Sequence, residues 1–286
     1  MPTAELILDH PALLRATARH HYWEGTGTLS IKMFRYGRAF YQSGGGTYAV
    51  EDDRYLILND SQPYSISIES PTPVESFCIF FPAGFAEAVN FSLTTPNQNL
   101  LDNPSASTAP LLFVDRTYPH DDVLTPAVRQ LQTLCTTADL TSGWMDEQLH
   151  TIMRQMLHVH QDVTQQIARL PAVKAATRDE LYRRLYHAHD YMLACYDSPI
   201  HLSDMAQVAN LSTNHFLRGF KQLFQQTPHQ FLTAYRLQQA SKLLIRTERS
   251  VTDICLAVGF ESLGSFSYLF RRHYGFSTEN YLRQKR

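Results

Sequence analysis

Two stretches of this 286-residue sequence repeat one pattern: LSDMAQVANLSTNHFLRGFKQLF at residues 202–224 and VTDICLAVGFESLGSFSYLFRRHY at residues 251–274. Each copy has a short amphipathic segment, a reversal of the chain and a longer amphipathic segment. The offset between the copies is 49 residues before the reversal and 50 after it, so the second reversal is one residue longer. A pattern repeated in this way predicts one structural unit used twice, here a helix-turn-helix.

Small polar residues indicate where each predicted helix begins. Ser203 and Thr252 are expected to cap the first helix of each copy, and Ser212 and Ser262 the second. A side-chain oxygen at such a position accepts a hydrogen bond from a backbone N–H that would otherwise lack a partner.

The reversals and the apolar stripes support the same prediction. Asn210 and Gly259 lie at the turn, where a positive φ is accessible to Asn or Gly at low cost. Helical spacing then predicts a buried apolar face on the second helix of each copy. Its members are Phe216, Phe220 and Leu223 in the first copy, and Phe266, Leu269 and Phe270 in the second.

One long helix is expected between the copies, from Pro228, which suits a first helical turn, to Thr247. Twenty residues at 1.5 Å each span about 30 Å. Successive major-groove faces on one side of B-DNA lie about 34 Å apart. The spacing therefore predicts double-stranded DNA as the partner, with one helix of each copy in each of two adjacent grooves.

Residues 179–286 resemble the DNA-binding domain of the AraC/XylS family of bacterial transcription regulators. The matching residues are Ala206, Ser212, Phe216, Arg218, Phe220, Lys221, Pro228, Arg236, Leu237, Ala240, Leu243, Leu244, Ile254, Val258, Gly259, Phe260, Ser262, Phe266, Phe270, Arg271 and Gly275. The sequence departs from the family pattern at Cys255, where Ala is usual, at Tyr268, where a polar residue is usual, and at Thr278, where Pro is usual.

The resemblance implies a transcription regulator with an N-terminal cupin-like domain that binds a small-molecule effector. It also implies a homodimer and RNA polymerase as a further partner. Neither a cofactor nor a metal is expected, and the protein is not expected to be an enzyme.

The exposed face of each second helix supplies the expected DNA contacts. Candidate base contacts are Asn214, His215, Leu217 and Arg218 in the first copy and Gly264, Ser265, Ser267 and Tyr268 in the second. Arg can bind guanine, and Asn adenine, through two hydrogen bonds, so the first helix is expected to carry most of the specificity. Candidate phosphate contacts are Lys221, Arg271 and Arg272. Arg236, on the connecting helix, is expected to serve the fold of the domain.

The formal net charge of −2 hides an asymmetry between the two halves of the chain. Residues 1–177 carry −7, whereas residues 178–286 carry +5. The basic charge therefore coincides with the predicted DNA-binding motif. The sequence has no apolar run long enough to cross a membrane, no recognisable signal peptide and no CxxC pair among its four cysteines. A cytoplasmic protein is expected.

The N-terminal half predicts a different fold. Six runs rich in β-branched and aromatic residues lie between residues 28 and 81, separated by Gly, Asn-Asp and Pro signals. Many short strands favour a barrel or roll, so the expected class is α+β. The expected domains are a cupin-like sensor over 1–120, a helical segment over 121–166, a linker over 167–178 and the DNA-binding domain over 179–286.

The interior of such a roll can hold an effector in a mostly apolar pocket. The candidate lining residues are Tyr22, Trp23, Arg35, Arg38, Tyr48, Tyr64 and Phe80. No histidine occurs between His21 and His120, so the strands cannot supply the imidazole ligands of a cupin metal site. This argues against a cupin-like enzyme with an appended DNA module. Control by a protein partner instead of a metabolite remains open.

Two interpretations of the helical segment also remain open. Apolar stripes at helical spacing can pack the helices onto the roll, or one of them can form a homodimer contact. The candidate dimer residues are Leu149, Ile152, Met153 and Met156.

Overall fold

The computed structural model describes residues 11–96, 110–137, 142–170 and 174–285. The chain divides into two compact units, an N-terminal unit (Met1–Asp179) and a C-terminal unit (Glu180–Arg286). The first contains the strands and the second contains helices only among its described residues, so the predicted α+β class is confirmed. The proposed division at 120, 166 and 178 stays a prediction. The expected linker contains the end of one helix and the first turn of the next, with residues 171–173 outside the described residues.

Within the described residues, seven strands form one nearly closed, barrel-like sheet. They are β1 (Ala12–Gly27), β2 (Ser30–Arg35), β3 (Ala39–Ser43), β4 (Gly46–Val50), β5 (Arg54–Leu58), β6 (Gln62–Phe80) and β7 (Thr117–Pro119). The order is β4-β3-β6-β2-β5-β7, and β1 pairs with β6 outside this path. All described strand pairs are antiparallel, and β6 lies between β1 on one side and β3 and β2 on the other.

Two features of this sheet differ from the expectation. The first is β1, which the sequence analysis did not include, although residues 14–19 alternate between apolar or small and polar side chains. The second is β6, a single 19-residue strand where two strands separated by Pro71 and Pro73 were expected. The β1–β6 register shifts between Ala18 and His20, opposite those prolines, so this irregular segment tolerates residues that cannot donate a ladder hydrogen bond.

Among its described residues, the N-terminal unit also contains three complete helices, α1 (Phe85–Thr94), α2 (Leu124–Thr137) and α3 (Ser142–Ala168). Helix α3 packs against both α1 and α2. The four candidate dimer residues on α3, Leu149, Ile152, Met153 and Met156, are all buried within a single copy of the chain. They are core residues and do not form a surface open to a second copy. Packing inside the unit is therefore the interpretation that the structure supports.

Seven helices form the C-terminal unit among its described residues. They are α4 (Ala175–Ala194), which begins just before the unit boundary, α5 (Leu202–Val208), α6 (Thr213–Phe224), α7 (Pro228–Arg246), α8 (Val251–Ala257), α9 (Leu263–Tyr274) and α10 (Thr278–Lys285). The two predicted helix-turn-helix repeats are α5–α6 and α8–α9, and the predicted connecting helix is α7, with Pro228 in its first turn. A single hydrophobic core contains the buried faces of both repeats.

Two of the four predicted helix caps are confirmed and two are wrong. Ser212 and Ser262 precede α6 and α9, and their side chains accept hydrogen bonds from the backbone N–H of His215 and Ser265. Ser203 and Thr252 instead lie inside their helices, because α5 starts after His201 and α8 after Ser250.

The chain is already extended at those two earlier positions, and an Asp three residues later completes each cap. Asp204 accepts a hydrogen bond from the His201 backbone N–H at 2.9 Å. In the second copy the Ser250 hydroxyl accepts one from the Asp253 backbone N–H at 3.1 Å. The Ser-x-x-Asp spacing of residues 250–253 is the sequence signal for this start.

The repeat is longer than the sequence pattern indicated, because it includes a third helix. Helices α6 and α9 both end at a residue with positive φ, Gln225 at 58° and Gly275 at 81°. Helices α7 and α10 follow at the same 50-residue offset. Phe231 on α7 and Tyr281 on α10 occupy matching positions against the shared core.

Candidate DNA interface and ligand cavity

Helix α6 has one buried face and one exposed face, as its sequence pattern predicts. Phe216 and Phe220 are fully buried, whereas Asn214, Arg218 and Lys221 are exposed. Residues three and four apart are neighbours on a helix surface, so these three exposed side chains form one row. This row presents an amide, a guanidinium and an ammonium group to solvent. His215 is also exposed beside it.

Helix α9, like α6, turns two phenylalanine rings toward the core of the unit, but its exposed surface differs from that of α6. Phe266 and Phe270 are fully buried. Gly264, Ser265 and Ser267 are exposed, and Tyr268 has 66% of its surface accessible. Arg271 and Arg272 extend the exposed surface toward the end of the helix. The second exposed surface therefore has cations near its end but neither Arg nor Asn near its start.

Leu217 is the base-contact candidate whose position differs from the expectation. Its side chain is only partly exposed, and it lines a groove of about 640 Å³ that also includes Leu202, Leu256 and Phe260. The groove lies between the two repeats, within the C-terminal unit. Leu217 therefore faces apolar neighbours as well as solvent.

An arginine supports each of the two turns. In the first repeat Asn210 has a φ of 50°, and its carbonyl accepts a hydrogen bond from Arg184 on α4 at 3.0 Å. In the second repeat Gly259 has a φ of 85° and lies against the Arg236 guanidinium. A Cβ at Gly259 would lie 2.7 Å from the Tyr196 carbonyl oxygen, so no larger residue fits without movement.

Arg236 serves the fold, as expected from the sequence, and it does so by donating hydrogen bonds to two backbone carbonyls. Its Nε donates to the Tyr196 carbonyl at 2.7 Å, and one Nη donates to the Ser198 carbonyl at 2.9 Å. Burial lowers the pKa of Arg236, and Asp197 and Glu261 act against this shift. Arg236 therefore joins the segment after α4 to α7, close to the turn of the second repeat.

Comparisons with known proteins identify this domain. Residues 205–284 match a family model described as "Helix-turn-helix domain". The lactose operon transcription activator of Staphylococcus xylosus is 29% identical over 126 residues, covering 44% of this chain and 45% of that protein. The melibiose operon regulatory protein of Escherichia coli strain K12 is 33% identical over 86 residues, covering 30% of this chain and 28% of that protein. The C-terminal unit contains an AraC-type helix-turn-helix domain.

A solved structure with an AraC-type DNA-binding domain, from Chromobacterium violaceum, is also similar. It is 28% identical, covers 39% of this chain and 96% of that chain, and has a TM-score of 0.34. The chain spans less than half the length of the two curated relatives named above. By name, the first of these relatives is a transcription activator and the second an operon regulatory protein.

The N-terminal unit contains a cavity of about 400 Å³ inside the sheet, separate from the AraC-type domain. Of the seven candidate lining residues, Trp23, Tyr64 and Phe80 do line it. The Trp23 and Tyr64 rings lie 4.8 Å apart between centroids. Their partners in the wall come mainly from β1, β2 and β6, and the lining is predominantly apolar.

The other four candidates lie elsewhere in the unit. Tyr22 is exposed and donates a hydrogen bond to Glu24, and Arg35 is exposed and donates one to the Tyr36 hydroxyl. Arg38 forms an ion pair with Glu51 at 2.6 Å. Tyr48 is fully buried in the core of the sheet and does not line the cavity.

Sequence reasoning missed a cation in the cavity wall. Lys32, on β2, is 2% exposed and lines the cavity together with Cys78 and Tyr41. The available signal was a charged residue in the interior of β2, with an apolar residue on each side of it, on the same strand face as Phe34. A strand with both faces buried carries a Lys only at considerable cost, so such a position warrants attention.

His158 and His160, two residues apart on α3, do not line this cavity. His158 pairs with Asp162 one helical turn later, and His160 packs its ring against Phe113 at 5.3 Å. Burial lowers the pKa of His160. In the parts of the chain that the structure describes, no three His, Cys, Asp or Glu side chains form a metal-binding group. No described helix is long and apolar enough to span a lipid bilayer.

Proposed function

We propose that this protein is a sequence-specific DNA-binding transcription regulator of bacterial promoters. The observation that supports this most strongly is the presence of two recognition helices, α6 and α9, in one domain, each with a buried aromatic face and an exposed polar one. Regulators of sugar operons among its relatives agree with this function. The net charge of +5 over residues 178–286 favours a polyanionic partner.

The exposed residues of the two recognition helices have distinct roles in this proposal. Asn214 and Arg218 read bases in the major groove through paired hydrogen bonds, with His215 beside them and Leu217 at the edge of the contact. Gly264, Ser265, Ser267 and Tyr268 read DNA shape or a thymine methyl group. Lys221, Arg271 and Arg272 contact phosphates and fix the position of the domain.

The connecting helix α7 sets the distance between the two contacts. Its 19 residues span about 28 Å at 1.5 Å per residue. This is close to the separation of about 34 Å between successive major-groove faces on one side of the duplex. One chain would therefore contact two adjacent major grooves, and the centres of these two contacts would lie about one helical turn apart in each operator half-site.

The N-terminal roll is the proposed sensor, and its cavity is the proposed effector site. A ligand changes regulation only if it binds two arrangements of the protein with different affinities. A homodimer belongs to the same proposal, formed by residues other than the four buried on α3. An activator of this kind would also contact RNA polymerase, and the protein would act in the cytoplasm, where the promoter is.

Two alternatives differ from this function in what they require of the N-terminal unit. A cupin-like enzyme requires a catalytic group in the roll, and among the described residues of the cavity wall one is a histidine, His21, on β1. Control by a protein partner requires no cavity, so the 400 Å³ interior favours a small molecule.

Electrophoretic retardation of promoter fragments from the native host tests the proposed function. The full chain is expected to retard specific fragments, with an affinity that falls steeply as salt increases. Lys221→Ala should reduce the slope of log affinity against log salt by about one, because one phosphate contact is lost. Lys174→Ala, an exposed cation outside the recognition helices, is the matched control and should leave the slope unchanged. Failure of every fragment to shift would contradict the proposal.

A further inference from the structure

The cavity of the N-terminal unit contains a buried cation, Lys32. Lys32 is 2% exposed, and its Nζ lies 3.8 Å from the centre of the Phe80 ring and 5.4 Å from the centre of the Tyr64 ring. Among the described residues, no carboxylate forms an ion pair with it. Aromatic faces stabilise an ammonium group only in part. The wall of the cavity therefore has a net positive charge at one point.

The surroundings of Lys32 disfavour its charged form. Its cross-strand neighbour is Cys78, and the remaining polar groups of the wall include the hydroxyls of Tyr64 and Ser76. Burial lowers the pKa of Lys32 from 10.5 to about 8. An ammonium held in apolar surroundings favours an anion that enters beside it.

The rest of the cavity favours a ligand with an apolar body. Its wall consists mainly of aliphatic and aromatic side chains, including Trp23, Phe34, Ile66 and Ile68. One side is formed by β1, and Leu14 on that strand lines the cavity and is 48% exposed. A volume of about 400 Å³ is within the range of small-molecule sites.

We propose that this cavity binds an organic monocarboxylate with an apolar body, and that the carboxylate pairs with the Lys32 ammonium. The inference rests on the proposed function, in which the roll holds a small-molecule effector, and names the chemical class of that effector. One ammonium matches a singly charged acid. A phosphate dianion would require more cationic donors than the described residues of the wall provide.

The pairing makes ligand binding depend on pH in a specific direction. The carboxylate binds the protonated form of Lys32, whose pKa is about 8 in the free protein. The apparent dissociation constant should therefore rise roughly tenfold between pH 7 and pH 9. The other titratable groups facing Lys32 are Cys78, Tyr64 and Tyr41. Burial raises the pKa of each, so the thiol and both phenols stay protonated to a higher pH than they would in water. His21 on β1 also faces the cavity.

Calorimetric titration of the full chain with matched ligands tests the inference. The ligands are octanoate, 1-octanol and octylamine, with benzoate and benzyl alcohol to vary the shape of the apolar body. Octanoate or benzoate should bind at least ten times more tightly than the corresponding alcohol, and octylamine should not bind. Lys32→Met should abolish the preference for the acid and the pH dependence above pH 7.

Arg35→Met is the matched control for Lys32→Met. It removes a cation from the same strand, but Arg35 is exposed and does not line the cavity, so the preference for the acid should persist. Lys32→Met should fold, because it removes a buried ammonium group. The lowered pKa of Lys32 means that this charge destabilises the folded state, most strongly below pH 8. Denaturant unfolding of each variant, followed by tryptophan fluorescence, verifies this.

Three results would overturn the inference: no binding of either acid, equal affinity for acid and alcohol, or a preference for the acid that survives Lys32→Met. Promoter-fragment retardation with the same preparations separates these failures from failure of the proposed function. If the acids do not bind but DNA is still retarded, only the carboxylate site is wrong.

Discussion

The two helix-turn-helix repeats place aromatic rings at matching positions and at nearly equal distances. Phe216 and Phe220 have ring centroids 5.4 Å apart, and the equivalent Phe266 and Phe270 are 5.6 Å apart. The contact between the second and third helices is also repeated. The Phe220–Phe231 centroid distance is 5.8 Å and the Phe270–Tyr281 distance is 5.4 Å, and both pairs are edge-to-face.

The exposed faces of the same helices differ. Arg218 on α6 corresponds to Tyr268 on α9, and Asn214 corresponds to Gly264. At these matched positions, side chains that can bind base edges through paired hydrogen bonds therefore occur in the first repeat and not in the second. The comparison teaches that buried residues maintain one framework in both places, whereas the exposed residues give the two copies different surfaces, and the proposed difference in their DNA contacts follows from those surfaces.

Removal of one buried ring from each repeat is expected to have the largest effect. Phe220→Ala and Phe270→Ala should each lower the free energy of unfolding of the C-terminal unit by about 3–5 kcal/mol, because each leaves a cavity in the core. Circular dichroism at 222 nm during denaturant unfolding measures this. Trp23 and Trp144 both belong to the N-terminal unit, so their fluorescence serves as the internal control. Losses that differ by more than about 2 kcal/mol would show that the two frameworks are not equivalent.

The turns should respond unequally to the same substitution. Gly259→Ala should cost about 3 kcal/mol, because it adds a Cβ at positive φ against the Tyr196 carbonyl. Asn210→Ala should cost about 1 kcal/mol, since that position already accommodates a side chain. Asn210→Gly is the control and should be nearly neutral. Equal costs for the two alanine variants in the same unfolding experiment would contradict the close approach of the Tyr196 carbonyl to the second turn.

The helix caps give the smallest expected effect and should respond equally. Ser212→Ala and Ser262→Ala each remove one hydrogen bond to a backbone N–H, at a cost of about 1 kcal/mol. Ser203→Ala is the control, because Ser203 lies inside α5 and caps no helix. A loss for Ser203→Ala as large as for Ser212→Ala would contradict the observed start of α5.

The C-terminal unit was predictable because its signals are local. Apolar residues at helical spacing, Pro228, and the pair Asn210 and Gly259 fix the helices and turns over a few residues each. The errors at Ser203 and Thr252 are shifts of two residues at helix starts. They arose because several polar residues compete for the cap and the Asp at the third position decides between them.

The N-terminal unit was less predictable because its structure depends on contacts distant in sequence. Pro71 and Pro73 locally indicate the end of a strand, but pairing with β1 on both sides of these prolines keeps β6 continuous. The cavity wall depends on that same pairing, which brings Trp23 to Tyr64 and leaves Tyr22 on the outside. Lys32 faces the interior because strand pairing determines the direction of its side chain, and composition does not indicate this.

Selection of bound sequences from a random duplex library tests the central claim most directly, with the wild-type chain and its Asn214→Ala, Arg218→Ala and Tyr268→Ala variants. The account predicts that Arg218→Ala and Asn214→Ala each lose preference at one base position, by about 1–3 kcal/mol of discrimination. Tyr268→Ala should lower affinity while every base preference persists. If Tyr268→Ala alone abolishes the preferences and the two α6 variants retain them, the division of roles between the repeats is wrong.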